Sequence, residues 1–371
     1  MSDSVSRICH ITTVHPRKDI RIYFKECISL SAVYDVCLIV ADGKGSETEG
    51  SVRIIDIYSG KRSRINRILF IAYKAYKMAL AVNCEVYHFH DPEFLFYGLL
   101  LRMKGKKVIY DVHEDLPGQV LSKGYINPFF RKPISKLVSF TEKMICQRLS
   151  VIITVTPEIN KRFFQYNRNS FIINNWPRIE ELEMSGSVAK SKNEICYIGG
   201  ITRVRGLEVL IDSLENIDVS LNLAGNFESD EFRLCLMNKP GWKKVNYLGF
   251  LSRKDTFRVI SKSIAGLVTF YPEPNHVTAQ PTKMFEYMLA GIPVIASDFP
   301  KWQEFIRTHN CGMCVNPKDA DAISMAIRFF IDNPEIAHKM GENGKKAIEE
   351  SYTWKKEEAK LLEIYSKLLS E

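Results

Sequence analysis

The chain has 371 residues, 46% of them hydrophobic and 25% charged, a balance that suits a globular protein large enough for two hydrophobic cores. No apolar run reaches the roughly 18 residues needed to cross a bilayer, and the opening MSDSVSRICH lacks the pattern of a secretory signal. The net charge of +8 is lopsided, with 27 Lys and Arg against 17 Asp and Glu over residues 1–180 and 24 against 26 over the rest, so the front half is expected to meet an anionic partner: a membrane surface, a phosphate-bearing acceptor or a nucleic acid.

In chain order, β-rich runs are expected at 7–14, 35–40, 52–57, 85–90, 106–111 and 151–156. They resume at 194–198, 219–224, 245–250, 264–270 and 293–297. Helix-length amphipathic stretches separate most of them, which predicts an α/β protein with parallel sheets built from βαβ units. The runs are apolar without clean alternation, as in strands covered on both faces. Asn174-Asn175-Trp176-Pro177 and the polar stretch 180–193 read as a linker. Two Rossmann-like domains facing across a cleft are therefore expected, at 1–175 and 176–352, with a C-terminal helix at 353–371 packing back on the first. Nine cysteines are scattered, and Cys37 and Cys196 fall inside apolar runs, where cysteine behaves as a small hydrophobe. That usage suits a reducing, cytoplasmic compartment.

Ligands of open parallel sheets bind where strands end and loops enter helices. After the run 194–198 come Gly199-Gly200-Ile201-Thr202-Arg203-Val204-Arg205-Gly206, then a helix near Leu207. Glycines permit close backbone approach, and a helix start with two arginines offers positive potential, which suits a diphosphate. The bland alternative is a Gly-rich turn with solvated arginines. After the run 264–270, Pro281-Thr282-Lys283-Met284-Phe285-Glu286-Tyr287-Met288 opens a helix whose Lys283 and Glu286 share a face. A cation for phosphate and a carboxylate for ribose hydroxyls would serve a nucleoside diphosphate. A surface ion pair is the alternative.

The stretch 281–295, Pro-x-Lys-x-x-Glu-Tyr-Met-x-x-Gly-x-Pro-Val-Ile, resembles the donor-site helix of family 4 glycosyltransferases with the GT-B fold, and Gly-Gly-x-x-x-x-Arg-Gly at 199–206 resembles their phosphate loop. His15-Pro16-Arg17-Lys18-Asp19-Ile20-Arg21 and Asp111-Val112-His113-Glu114-Asp115 are similar to segments of members that build bacterial polysaccharides. The resemblance implies a retaining transferase with a nucleotide sugar, UDP-linked by expectation, as co-substrate and no cofactor or metal. It implies that Arg205 contacts the donor diphosphate, Glu286 the ribose, and His113 the sugar pocket. Many relatives carry a second glutamate eight positions before the ribose-binding one; here that position is Thr278, and Lys283 with Thr282 is expected to substitute. The donor set is thus Gly199, Gly200, Arg203, Arg205, Thr282, Lys283 and Glu286, with His113, Arg205, Lys283 and Glu286 as the catalytic candidates.

His15, Arg17, Asp19 and Arg21 form a charged turn after the first strand run and are acceptor candidates, although Arg21 could simply pair with Asp19. His90 and Asp91 end another run, where they either position the acceptor or cap a helix through Asp91. Glu114 either binds acceptor or orients His113. Cys311 and Cys314 have redox spacing without a second pair, and read as structural. Basic residues mix with apolar ones at 61–82 (Lys61, Arg62, Arg64, Arg67, Lys74, Lys77) and at 127–148 (Phe129, Phe130, Arg131, Lys132, Lys136, Lys143, Arg148). Both stretches suit amphipathic helices on an anionic leaflet or ordinary core-plus-solvent helices.

The expected reaction is transfer of a sugar to a hydroxyl of a lipid-linked glycan acceptor in capsule or O-antigen assembly, at the inner face of the cytoplasmic membrane. A nucleotide-sugar epimerase and a non-catalytic nucleotide-sugar binder are the competing readings. A nucleic-acid partner lacks any recognisable module.

Overall fold

The computed structural model describes residues 5–58, 70–122, 126–183, 186 and 188–370. These form two compact units, one of Met1–Asn175 with Lys355–Glu371 and one of Trp176–Trp354.

The first unit is built on an eight-stranded sheet ordered β3-β4-β2-β1-β5-β6-β7-β8. Its strands are β1 Arg7–Ile11, β2 Asp35–Val40, β3 Glu47–Glu49, β4 Val52–Asp56, β5 Val86–Phe89, β6 Lys107–Val112, β7 Val151–Thr154 and β8 Ser170–Ile172. Only β3 runs antiparallel, against β4. One face of this sheet is apolar: Cys9, Ile11, Cys37, Ile39, Tyr87, Phe89, Val108 and Tyr110 pack with Ala72, Ala75, Tyr76, Ala79, Leu95 and Leu101 from helices Ala72–Val82 and Leu95–Met103. The opposite face is unlike an ordinary core. Strand alternation turns His10, His88, His90 and Asp111 toward it, and all four are buried. Covering them are the C-terminal helix Trp354–Ser370, which brings Tyr365, and the segment Ile22–Cys27, which brings Glu26. That segment is π-helical, with Glu26 N–H bonding back five residues to the Arg21 carbonyl, a geometry that is rare and frequent at functional sites.

The second unit has a six-stranded, wholly parallel sheet ordered β11-β10-β9-β12-β13-β14. The strands are β9 Glu194–Ile198, β10 Ser220–Ala224, β11 Val245–Gly249, β12 Gly266–Val268, β13 Val294–Ser297 and β14 Gly312–Val315. Here both faces carry apolar cores, one around Ile195, Tyr197, Leu221 and Phe330 and the other around Trp176, Cys196, Phe285 and Val294.

Strands β3 and β8 were not anticipated as runs, whereas the 311–314 segment, expected as a turn entering a strand, forms β14. Those two are three-residue edge strands, too short to show a pattern. β1 stops at Ile11 rather than 14, because Thr12 and Thr13 turn away to bond Asp91. Each sheet reverses its winding beside its first strand, between β1 and β5 and between β9 and β12, so the loops there diverge and leave room for ligands.

Candidate active site

At the β9/β12 reversal, β9 is followed by Gly199, whose φ of +123° suits glycine alone. A Cβ added there would lie 3.3 Å from Lys283 Nζ and 3.6 Å from Arg205 Nη1. Two cations from separate elements thus converge on one bare stretch of backbone. Gly206 has φ +73°, and a side chain there would strike the Thr269 carbonyl 2.1 Å away, so glycine lets the following helix, Leu207–Asp212, pack against the end of β12.

Lys283 lies in the first turn of the helix Thr282–Leu289 and is 7% exposed. Its Nζ sits 3.4 Å from the centroid of the Tyr197 ring and 5.3 Å from that of Phe270, and no hydrogen-bond acceptor reaches it. Burial and then the neighbouring Arg205 charge hold its pKa well below the usual lysine value, with Glu286 only partly opposing them. An ammonium placed this way gains most from an added anion. Arg205 bonds the Gly200 carbonyl at 3.3 Å, and its guanidinium stands 5.4 Å from the Phe270 ring. The half-buried Thr282 opens the lysine's helix, whose N-terminal dipole adds positive potential.

Glu286 is buried, and its Oε1 accepts from Arg253 Nη2 at 2.6 Å. Arg253 also forks onto Glu181, with Nε and Nη2 each 2.9 Å from an oxygen. Burial lowers the affinity of Arg253 for its proton, but Glu286 and Glu181 more than reverse this. Arg253, Glu181 and Tyr197 escaped sequence reasoning. The available signal was Ser252, a helix N-cap directly followed by an arginine at the end of β11. Arg203 is a correction: its exposed side chain turns to Glu208 and Glu228 and lies 4.7 Å over Phe232, away from the lysine.

In the first unit, the β1/β5 reversal gathers His15, Asp19, His90, Asp91 and His113. His15 Nδ1 lies 3.2 Å from Asp19 Oδ2, and the His15 and His113 rings are 5.2 Å apart. Burial alone would lower the His15 pKa, yet Asp19 and Asp91 more than reverse this and raise it to about 9. His113 Nε2 lies 2.7 Å from Asp111 Oδ2, and its side chain is 19% exposed. Asp111 is held ionised chiefly by Arg21 against the cost of burial. An ionised carboxylate accepts the Nε2 proton, leaving His113 Nδ1 as an acceptor for a ligand hydroxyl.

Arg17 and Arg21 are corrected as acceptor candidates. Arg17 is fully engaged inside the protein, with Asp42 at 2.6 and 2.9 Å, Glu47 at 2.6 Å and the Gly45 carbonyl at 2.8 Å. Arg21 is likewise buried, forked onto Asp111 at 2.8 and 2.9 Å and bonded to the Ile173 carbonyl at 2.9 Å. Both guanidiniums are buried and held by internal partners, so neither is presented to an acceptor. Asp91 stands at the N-cap of the short turn Pro92–Phe94 without capping it through its side chain, which accepts from Thr12 Oγ1 at 2.8 Å and Thr13 N–H at 2.6 Å. His90 is buried against Asp111 at 3.1 Å. Glu114 is exposed. His10, Glu26 and Asp111 were missed, although histidines two apart on β5 and one in register on β1 (His10 opposite His88) are a readable signal. Two side-chain groups could ligate a metal among the described residues: His10, Glu26, His88 and His90, and His90, Asp111 and His113.

Lys61, Arg62, Arg64 and Arg67 lie outside the described residues. Lys74 and Lys77 are exposed on a helix whose apolar side is buried in the ordinary way. The helix Pro128–Cys146 differs. Phe129 (80% exposed), Phe130, Ile134, Leu137 (65%), Phe140 (60%) and Met144 all face solvent, beside Lys132, Lys136 and Lys143.

Residues 179–347 match the family described as Glycosyl transferases group 1, and residues 30–176 match Glycosyltransferase Family 4. The chain is similar to D-rhamnosyltransferase WbpZ of Pseudomonas aeruginosa, 23% identical over 42% of this chain and 41% of that protein. Its likeness to O-antigen chain mannosyltransferase C of Escherichia coli is 22% over 43% of each chain. Both matches thus span less than half of those relatives. Among solved structures, sucrose-phosphate synthase from Thermosynechococcus elongatus aligns over 98% of this chain and 99% of that one, with TM-score 0.79 and 16% identity. HepE from Anabaena in complex with UDP-glucose aligns over 97% and 99%, with TM-score 0.70 and 13% identity.

Proposed function

Starting from a chain that carries both glycosyltransferase domains and is a transferase of the two-domain GT-B type, we propose that it moves a hexosyl group from a nucleoside-diphosphate sugar to a hydroxyl of a lipid-linked glycan, with retention of anomeric configuration. The observation that carries this reading is Lys283: a buried amine with no acceptor, set beside Arg205 and the bare backbone of Gly199. A diphosphate is the ligand that answers two converging cations, and Glu286, steadied by Arg253, keeps a carboxylate oxygen for ribose hydroxyls.

In the reaction, the bond between the anomeric carbon and the diphosphate oxygen breaks while one to the acceptor oxygen forms on the same face. The acceptor's proton passes to the departing diphosphate. Arg205 and Lys283 stabilise the charge that develops on that leaving group, which is electrostatic catalysis by preorganised cations. These cations take the part a divalent ion would otherwise play at the diphosphate. His113 offers an acceptor nitrogen to a sugar hydroxyl. The named rhamnosyl- and mannosyltransferase relatives favour a hexose of the manno series.

A lipid-linked acceptor is favoured by the exposed apolar stripe of Pro128–Cys146 with its lysines, since such a face suits the headgroup boundary of an anionic leaflet. The deciding experiment incubates the full chain with UDP- and GDP-hexoses and a polyprenyl-diphosphate-linked sugar. A product gaining one hexose, with the donor's anomeric configuration by NMR, is expected. Epimerised donor alone, or binding without turnover, would replace this reading with one of its competitors.

A further inference from the structure

Behind His113 lies a constellation that the transfer reaction does not use. His10, His88, His90 and Glu26 are buried on the polar face of the first sheet, and each offers one ligand atom within 4.8 Å of the others. They come from β1, from β5 and its end, and from the π-helical segment. His10 Nδ1 and His90 Nε2 are 3.0 Å apart, and each is 3.9 Å from Glu26 Oε2. Four ligands around an ion at roughly 2.0–2.1 Å stand about 3.3 Å from each other.

The outward nitrogens are held as those of metal-bound histidines are. His90 Nδ1 lies 3.1 Å from Asp111 Oδ2 and His88 Nδ1 2.8 Å from the Tyr365 hydroxyl, which is also 3.4 Å from His10 Nε2. Such partners orient each ring and fix which nitrogen keeps a lone pair for the ion. The inward atoms are the ones left unsatisfied. Nε2 of His88 has no hydrogen-bond partner, and neither does either oxygen of Glu26 as an ionised carboxylate, whose proton affinity burial and the nearby Asp111 raise well above the usual carboxylate value. Arg21 Nε stands 3.0 Å from Glu26 Oε1, but it is already committed to Asp111. A proton shared between His10 and His90 would satisfy that pair and leave Glu26 and His88 as they are. One ion serves all four.

We propose that His10, His88, His90 and Glu26 bind a zinc ion that ties β1, β5 and the π-helical segment together behind the His113 pocket. Imidazole nitrogens with one carboxylate are a borderline ligand set that suits zinc, and four protein ligands close the coordination shell, which makes the site structural. Asp111 and Glu26 against Arg21 leave one negative charge to offset the ion's two positive ones. The ion acts on catalysis only by holding His90, and through Asp111, His113. This inference stands apart from the donor-site reading and departs from the metal-free expectation formed on the sequence, where the four ligands are scattered over residues 10–90.

The test is elemental analysis of the full chain, untagged, expressed with zinc and passed through EDTA-containing gel filtration. About one zinc per chain is expected, and cobalt-grown protein should show the visible absorption of a tetrahedral site. Glu26→Gln and His88→Asn should each lose most of the zinc, while the control His338→Ala, on an exposed helix, should keep it. Folded wild-type protein with less than about a tenth of an equivalent, and a melting temperature indifferent to added zinc, overturns the proposal. So does zinc that survives in both site variants, because it would then sit elsewhere. Wild-type content alone decides the matter if a variant fails to fold.

Discussion

Lys283 and Arg21 are both buried cations, yet they answer opposite needs. Arg21 is matched inside the protein by Asp111 and Glu26. Arg21→Met should therefore destabilise the fold by about 3–5 kcal/mol in chemical denaturation, because it strands the buried Asp111 carboxylate. A loss under about 1 kcal/mol would show that the pair contributes little. Lys283 is matched by nothing. Lys283→Met should lower turnover by at least about 100-fold, as should Arg205→Ala, while leaving the Lys283 variant's melting temperature equal or higher. A less stable protein with wild-type turnover would make the lysine a packing element. His15 gives a pH signature. Its folded pKa is raised to about 9 from 6.5, so its contribution to stability is complete below about pH 6.5 and is lost as pH rises through 9. The melting temperature should fall across that window and His15→Gln should flatten the fall; an NMR midpoint near 6.5 for His15 would refute the assignment.

At the scale of elements, the helix Pro128–Cys146 turns its apolar residues to water, while Glu142, Ile145 and Cys146 are its buried positions. A sequence pattern shows that such a helix is amphipathic but not which side is buried. The triple variant Phe130→Ser, Leu137→Ser, Phe140→Ser should cease to sediment with anionic vesicles yet melt as the wild type does, since these side chains support no core. Retained sedimentation would move the contact elsewhere. The π-helical segment Ile22–Cys27 shows the reverse limit. Its sequence, IYFKEC, reads as an ordinary helix start, and only the packed fold reveals that the wider turn sends both Lys25 and Glu26 inward.

At the scale of the whole molecule, the excess of basic residues in 1–180 should make vesicle binding electrostatic in part. Binding to anionic vesicles is expected to weaken as salt shortens the screening length from about 10 Å at 0.1 M to about 3 Å at 1 M. Equal binding to neutral vesicles would leave the charge asymmetry without a role. The alternation of apolar runs with helices determined the α/β class, because strand and helix periods are local properties of the chain. Strand-end glycines and the Lys283–Glu286 spacing singled out the helix Thr282–Leu289 for the same reason, since a strand-to-helix turn is made of contiguous backbone. Arg17, Arg21 and Arg203 look alike in sequence to Arg205, and only the folded chain decides which is neutralised by carboxylates 5–90 residues away and which remains for a ligand. The histidine cluster was legible only in part: His88 and His90 stand two apart in the sequence, but His10 and Glu26 join them only when β1, β5 and the segment after β1 come together. Long-range charge pairing and burial, not local pattern, separate a scaffold arginine from a working one.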